Sequence, residues 1–168
     1  MKITATEEYG MRCMLQLALH HGEIVPLSEL AGTEGIAPPF AAKVLLGLRR
    51  AGLVVATRGR NGGYALAAPP EQITVLRILK ALGKPLFDST FCREHGSPDA
   101  TDCSRLTDCS LRPVWAHLDA LLSRFFEQTT LADLVAGERR TDRHLQERWP
   151  LTVPRSRGES AVAKRGTQ

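Results

Sequence analysis

Aromatic side chains are scarce in this 168-residue chain, at 5% of it, which is too few for the stacking platforms that hold single-stranded nucleic acid. Long apolar runs are missing as well, and nothing approaches the ~20 residues that a membrane-spanning helix needs. Glu7, Glu8 and Arg12 interrupt the apolar pattern near the start, unlike a secretory leader. The expected location is therefore the cytoplasm, with no membrane partner. Closely paired C-x-x-C cysteines, a Gly-rich cofactor loop and a Cys–His catalytic spacing are all absent, which leaves a small thiol redox enzyme as the weakest functional class. The most telling absence is local: no Asp or Glu lies between Glu34 and Glu71.

That acid-free interval holds Lys43, Arg49, Arg50, Arg58 and Arg60. The stretch from Phe91 to Trp149 has eight Arg against ten acids, a net of −2, so the overall charge of +4 is unevenly placed. One segment is suited to face an anion and the other is not. Hydrophobic content of 43% and charged content of 24% are those of a globular chain, and the length allows one core with an appended element.

The pattern around the basic interval predicts a winged helix. Thr4 and Glu7 have capping-box spacing, with Glu7 and Glu8 in the first turn of a helix. Tyr9, Cys13 and Leu17, with Met14 and Ala18, give it a stripe to about His20, and Gly22 ends it. Leu27, Leu30 and Ala31 mark a short helix, capped by Ser28 or the residue before it and broken at Gly35. Pro38 and Pro39 suit the first turn of the next, whose buried stripe is Phe40, Val44, Leu45 and Leu48, and Gly52 fits a left-handed stop. Two short helices about a glycine turn form a helix-turn-helix, with the second as recognition helix. Residues 53–58 and 64–67 then read as a hairpin with its tip at 59–63, which is a wing. Gly62 and Gly63 there allow positive φ and close backbone approach.

The expected DNA contacts are Pro39, Ala41, Ala42 and Lys43 on the early exposed face of the recognition helix and Arg49 and Arg50 at its end. Arg58, Arg60, Asn61 and Gly62 supply the wing. Hydrogen-bonding side chains are few on that helix, so the operator is expected to be AT-rich and partly read by shape.

Three of the four cysteines, Cys92, Cys103 and Cys109, fall in a segment of little periodicity, separated by ten and five residues. Cys13 sits in an apolar stripe and reads as a small core residue, whereas these three neighbour Arg, Glu, Asp and Ser. Unconnected thiols, a redox-switching disulfide and a metal site all remain open, and thiolates select zinc or iron–sulfur clusters. Cys109 precedes a helix that starts after Ser110, the expected N-cap, where the dipole favours a thiolate. Leu111, Trp115, Leu118, Leu122 and Phe125 form the main stripe of that helix. Val114, Leu121 and Phe126 widen it enough to serve a twin subunit as well as its own domain.

Several segments together resemble the Rrf-two family of winged-helix regulators. They are MKITATEEYGMRCMLQLA, PLSELAGTEGIAPPFAAKVLLGLRRAGLV, RGRNGGYALAAPPEQITVLRILKALG, CSLRPVW and TTLADLV. The resemblance spans residues 1–135 and takes in IscR-like iron–sulfur and NsrR-like nitric-oxide-sensing branches. It implies a homodimer on a palindromic operator in double-stranded DNA. It implies too that Cys92, Cys103 and Cys109 hold an iron–sulfur cluster, [4Fe–4S] in preference to [2Fe–2S]. The IscR-like branch has a His three residues past the third cysteine, where this chain has Arg112, and the gap between the first two cysteines is longer than usual. The NsrR-like branch uses an N-terminal acid from the partner subunit, and Glu8 matches it.

The resulting expectation is a mainly α chain, a winged helix-turn-helix with a small β-hairpin and a long C-terminal dimerisation helix. The domain at 1–83 binds DNA, 84–110 is a cysteine-bearing sensor loop, 111–135 dimerises through Trp115, Leu118, Leu122 and Phe125, and 150–168 is a disordered basic tail. The expected function is that of a sequence-specific transcriptional regulator, a repressor, controlled by a cluster that responds to nitric oxide, oxygen or iron. The alternative on the same fold is a cluster-free thiol switch or a zinc regulator with His95 as fourth ligand.

Overall fold

The computed structural model describes residues 3–83, 103, 105 and 108–151. Helix α1 (Ala5–Leu19) begins in the expected capping box: the Glu7 amide donates to Thr4 Oγ1 at 3.2 Å and the Thr4 amide donates to Glu7 Oε2 at 2.7 Å. Its buried face carries Cys13, Met14, Leu17 and Ala18. Helix α2 (Leu27–Glu34) is capped by neither Ser28 nor Leu27. The chain enters through Pro26 in extended geometry, and the Pro26 carbonyl accepts from the Glu29 and Leu30 amides. At its other end Gly35, at φ +64°, closes a Schellman turn in which the Ile36 amide reaches the Ala31 carbonyl at 3.0 Å.

Helix α3 (Pro38–Arg50) has Pro38 in its first turn, as the missing N–H allows. It ends in a second Schellman turn about Gly52, with the Leu53 amide bonded to the Leu48 carbonyl at 3.0 Å. Strands β1 (Val54–Thr57) and β2 (Gly63–Leu66) then pair antiparallel, Val54 opposite Leu66 and Thr57 opposite Gly63. A further bridge joins Val25 to Tyr64 and anchors the wing to the entry of α2. Gly63 is required by that approach, since a Cβ there would collide with the Val25 carbonyl. Positive φ in the wing falls at Gly59 (+113°), not at Gly62 or Gly63, which serve close approach alone.

A 3-10 turn (Pro70–Gln72) leads into α4 (Val75–Leu82), capped by the Thr74 hydroxyl. Helices α1 and α4 cross closely because Gly10 has no side chain: a Cβ there would overlap Leu82. Helix α5 (Leu111–Glu127) spans the range read from the sequence, but Ser110 makes no side-chain cap bond. Its backbone is already helical, so the first turn closes from the Arg112 amide to the Cys109 carbonyl.

After α5 the chain returns to the winged-helix core. Thr130 bridges Thr74, the Val75 amide donates to the Thr129 carbonyl at 2.8 Å, and the Leu131 amide donates to the Ile73 carbonyl at 2.9 Å. Leu131, which opens α6 (Leu131–Val135), is fully buried in the same cluster as Met14, Leu17, Leu45, Leu48, Ile73 and Ile78. Residues 129–135 thus pack on the winged-helix core, while the Thr129 hydroxyl also bonds the Phe125 carbonyl of α5 at 3.1 Å. A polar helix α7 (Glu138–Arg148), unanticipated for want of an apolar stripe, packs on α6 and ends at Trp149. Trp149 packs tilted against Phe125 with ring centroids 5.7 Å apart, and Arg148 donates to the Gln128 carbonyl at 2.9 Å. The expected disordered tail lies outside the described residues apart from positions 150 and 151.

Replacing Leu131 by Ala empties a fully buried site and removes contacts from both halves of the core. A loss of about 2–5 kcal/mol is expected, read by denaturant unfolding as a single transition shared by the winged helix and α5. Unchanged stability would mean that the return segment is not integral to the domain.

Candidate nucleic-acid interface and sensor site

Helix α3 turns Ala41, Val44, Leu45 and Leu48 inward, all fully or almost fully buried. With about 3.6 residues per turn, the opposite face carries Pro39, Lys43, Leu46 and Arg50, and all four are exposed. Ala41 is thereby removed from the expected DNA contacts: it is at 0% exposure, because its small side chain seats the helix on the core. Ala42 is half-buried beside the outer face. Phe40, expected in the buried stripe, lies at its margin, edge-on to Tyr9 at 5.8 Å. Leu46 was missed because an apolar residue between Leu45 and Leu48 reads as core until the register of the helix is known.

Arg58, Arg60 and Asn61 are exposed at the wing and Gly62 is half-buried in its turn, where a Cβ would collide with the Thr57 carbonyl. The hairpin follows directly from the turn that ends α3, so wing and recognition helix belong to one continuous acid-free segment. Lys43, Arg49, Arg50, Arg58 and Arg60 are exposed, and none forms an ion pair or side-chain hydrogen bond among the described residues. Unpaired cations on a helix and an adjacent wing form a field suited to a phosphate backbone. Arg49 and Arg50 also complement the C-terminal end of the helix dipole.

One acid does sit beside this unit, and it is already neutralised. Glu34, with 8% exposure at the end of α2, receives a 2.6 Å bond from Arg12 Nε of α1. Arg12 also lies over the Tyr9 ring at 5.3 Å. The pair locks α1 to the end of the first helix of the helix-turn-helix, which sequence separation hid.

The sensor residues are placed in part. Cys103 and Cys109 are half-buried free thiols, the latter directly before α5, while Cys92 and His95 lie outside the described residues. No group of three or more potential metal donors occurs among the described residues. The chemistry of the donor set still suits a soft metal centre, since both placed thiols are accessible and unbridged. Glu7 is occupied by the Thr4 cap and lies against Gly83, the last described residue before the cysteine segment. Glu8 is exposed and has no side-chain partner among the described residues. Cys13 is fully buried in the core, and burial, assisted by the Glu34 charge and opposed by Arg12, pushes its thiol up to about 11.

Helix α5 has no buried residue. Leu111 (58% exposed), Val114, Trp115, Leu118 and Leu121 (60%) form an apolar face along its first two-thirds. Of the expected dimer contacts, Trp115 and Leu118 lie on that open face. Leu122 is half-buried, and Phe125 is covered within the chain by Phe126 and Trp149. The apolar stripe is thus open along its first part and half-buried within the chain towards its end. Among the described residues no helix is long and apolar enough to cross a membrane.

Residues 3–137 match the family model Rrf2, described as an iron-dependent transcriptional regulator. The chain is 36% identical over 138 residues to a protein of Mycobacterium tuberculosis named as an HTH-type transcriptional regulator, covering 82% of this chain and 83% of the relative. It is 32% identical over 136 residues to the HTH-type transcriptional regulator IscR of Vibrio campbellii, covering 80% and 77%. Its fold is similar to that of CymR, described as the global cysteine regulator of B. subtilis, with TM-score 0.63, 28% identity and coverage of 81% of this chain and 97% of that one. These relatives are named as regulators of transcription or cysteine, and none as an enzyme.

For the wing, Arg58→Ala and Arg60→Ala are each expected to weaken DNA binding and to lower the slope of log K against log salt by about one unit. A salt-titrated binding assay with an unchanged slope would remove the wing from the interface.

Proposed function

This chain belongs to the Rrf2 family of winged-helix transcription regulators, and on that premise we propose that it is a cytoplasmic, homodimeric, sequence-specific repressor whose operator binding is governed by the cysteine segment. The observation that carries the reading is the continuous acid-free unit of α3 and wing, with five exposed cations that have no ion-pair partner among the described residues. Each subunit would lay the outer face of α3 in a major groove, with Arg58, Arg60 and Asn61 at the flanking backbone or minor groove. The twin subunit would cover Leu111, Val114, Trp115, Leu118 and Leu121, since an open apolar face of this kind marks an association surface.

For the sensor, the IscR relationship and the iron-dependent family description favour an iron–sulfur cluster on Cys92, Cys103 and Cys109. Glu8 of the partner subunit is the proposed fourth ligand, and [4Fe–4S] is the preferred form. Such a group supplies a labile, redox-active centre when bound. The protein's part is mechanical. Cys109 leads directly into α5, and α5 is rooted in the winged helix through residues 129–131. Rearrangement of the cysteine segment therefore changes the seating of α5 on its twin and, through it, the separation of the two recognition helices.

A second reading is favoured by a specific observation: Cys103 and Cys109 are both free and half-buried, and the fold is shared with CymR, described as a cysteine regulator. In that reading the thiols act as a cluster-free switch. Iron and sulfide content of anaerobically reconstituted protein separates the two. Under the cluster reading Cys92→Ala, Cys103→Ala and Cys109→Ala each lose the centre, because too few ligands remain, and Cys13→Ala keeps it. Glu8→Ala assembles a centre that decays faster. Full cluster content in Cys103→Ala would end the three-thiolate model.

Replacing Leu118 by Glu would place an unpaired charge in the proposed twin contact. Sedimentation is expected to show a folded monomer, and a variant that remains dimeric would place the interface elsewhere.

A further inference from the structure

Leu46 is only partly covered by the packing of this domain. It stands 37% exposed at the centre of the outward face of α3, one turn from residues that seat the helix firmly on the core. On a helix surface the neighbours of a residue are those three and four positions away. For Leu46 these are Ala42, Lys43, Arg49 and Arg50: one methyl and three exposed cations without ion-pair partners among the described residues. An apolar side chain ringed by uncompensated positive charge is a poor contact for a second copy of the same face, since like charges would meet. It is well matched to a polyanion that also presents an apolar group.

Duplex DNA offers one such group in its major groove, the C5-methyl of thymine. Helix α3 contains no Ser, Thr, Asn, Gln, Asp, Glu, His or Tyr, so base edges that demand a neutral or acidic hydrogen-bonding side chain go unread by it. We propose that Leu46 is a specificity-determining residue of the repressor, recognising a thymine methyl in each half-site while Lys43, Arg49 and Arg50 engage the adjacent phosphates or purine edges. Half-buried Ala42 completes the apolar floor of the same pocket for the methyl. The assignment rests on the DNA-binding reading above and adds to it the base feature that this surface selects.

The test uses full-length protein, in anaerobically reconstituted and metal-free forms, and a pool of random DNA duplexes. Bound duplexes are sequenced, and in the best of them each thymine is replaced singly by deoxyuridine, which removes only the methyl. For the wild type, one symmetry-related pair of thymines is expected to lose about three- to five-fold in affinity per methyl removed, the scale of one buried methyl group. Leu46→Ala is expected to bind the thymine and uracil duplexes equally, with an unchanged salt slope. Leu46→Met, which keeps an apolar contact, is expected to retain the preference. Thermal melts of both variants check that the domain is intact. Full thymine-over-uracil discrimination in Leu46→Ala, or no methyl-sensitive thymine in the wild-type site, would overturn the assignment and leave DNA binding standing. Failure of the wild type to enrich any duplex in either form would overturn the DNA reading, and this assignment with it.

Discussion

Between the 3-10 turn and α4 the chain accepts a partner from more than fifty residues downstream. The Ile73 carbonyl receives the Leu131 amide, the Val75 amide reaches the Thr129 carbonyl, and Leu131 drops into the centre of the winged-helix core. This short bridge decides how the rest of the molecule is arranged. It roots the C-terminal end of α5 in the DNA-binding domain, where Thr74 also bonds Glu127 at 3.4 Å. It fixes where the apolar face of α5 can project, and it leaves the start of that helix to be reached through the cysteine segment. Burial of Leu131 supplies the driving force, and the backbone bonds supply the direction. The helix is thus rooted in the winged helix at its C-terminal end, and Cys109 directly precedes its other end.

The charge pattern and the fold reinforce one another at the opposite surface. Acid is excluded from the interval between Glu34 and Glu71, yet Glu34 itself is tucked beneath the helix-turn-helix. Arg12 compensates it at 2.6 Å, so its negative charge does not weaken the field at α3. Removing Arg12 would leave that carboxylate buried without its partner, which is costly. Orientation of the first helix and electrostatic cleanliness of the recognition surface therefore depend on the same contact. Cys13, one residue along, is a core thiol whose pKa is raised by its burial first and by the Glu34 charge second, against the lowering effect of Arg12.

The features legible from sequence were those with local physical causes. The Thr4–Glu7 box, the proline entry of α3, the Gly52 stop and the two short strands each depend on a few neighbouring residues, and each stands where expected. Register and long-range closure were not legible. Ala41 was assigned to the outer face and Leu46 to none, because a helix containing Ala, Val, Leu, Leu and Leu in close succession has several plausible buried stripes. Only packing against α1, α2 and α4 selects one. Gly10 carries a similar lesson: a lone glycine in a helix reads as a minor weakness until Leu82 is seen to occupy its missing Cβ. Helix α7 was invisible because its composition is polar on every side, and it is held by Trp149, Arg148 and Thr141 in place of an apolar stripe.

The two adjacent acids at the start of α1 show how neighbouring, chemically equivalent residues become separated in role. Glu7 folds back onto Thr4, closing the capping box through both the amide and the hydroxyl, and its other oxygen rests against Gly83. Its Oε2 already accepts two bonds from Thr4. Glu8 is rotated about 100° around the helix, exposed, and without a side-chain partner among the described residues. A carboxylate offered to another subunit must be free in its own, and of the two only Glu8 meets that condition. Glu7 meanwhile fixes the helix end from which Glu8 projects, in contact with the last residue of α4's turn before the cysteine segment. The arrangement therefore argues for a division of labour, in which one acid holds the N-terminus of α1 and orients the other.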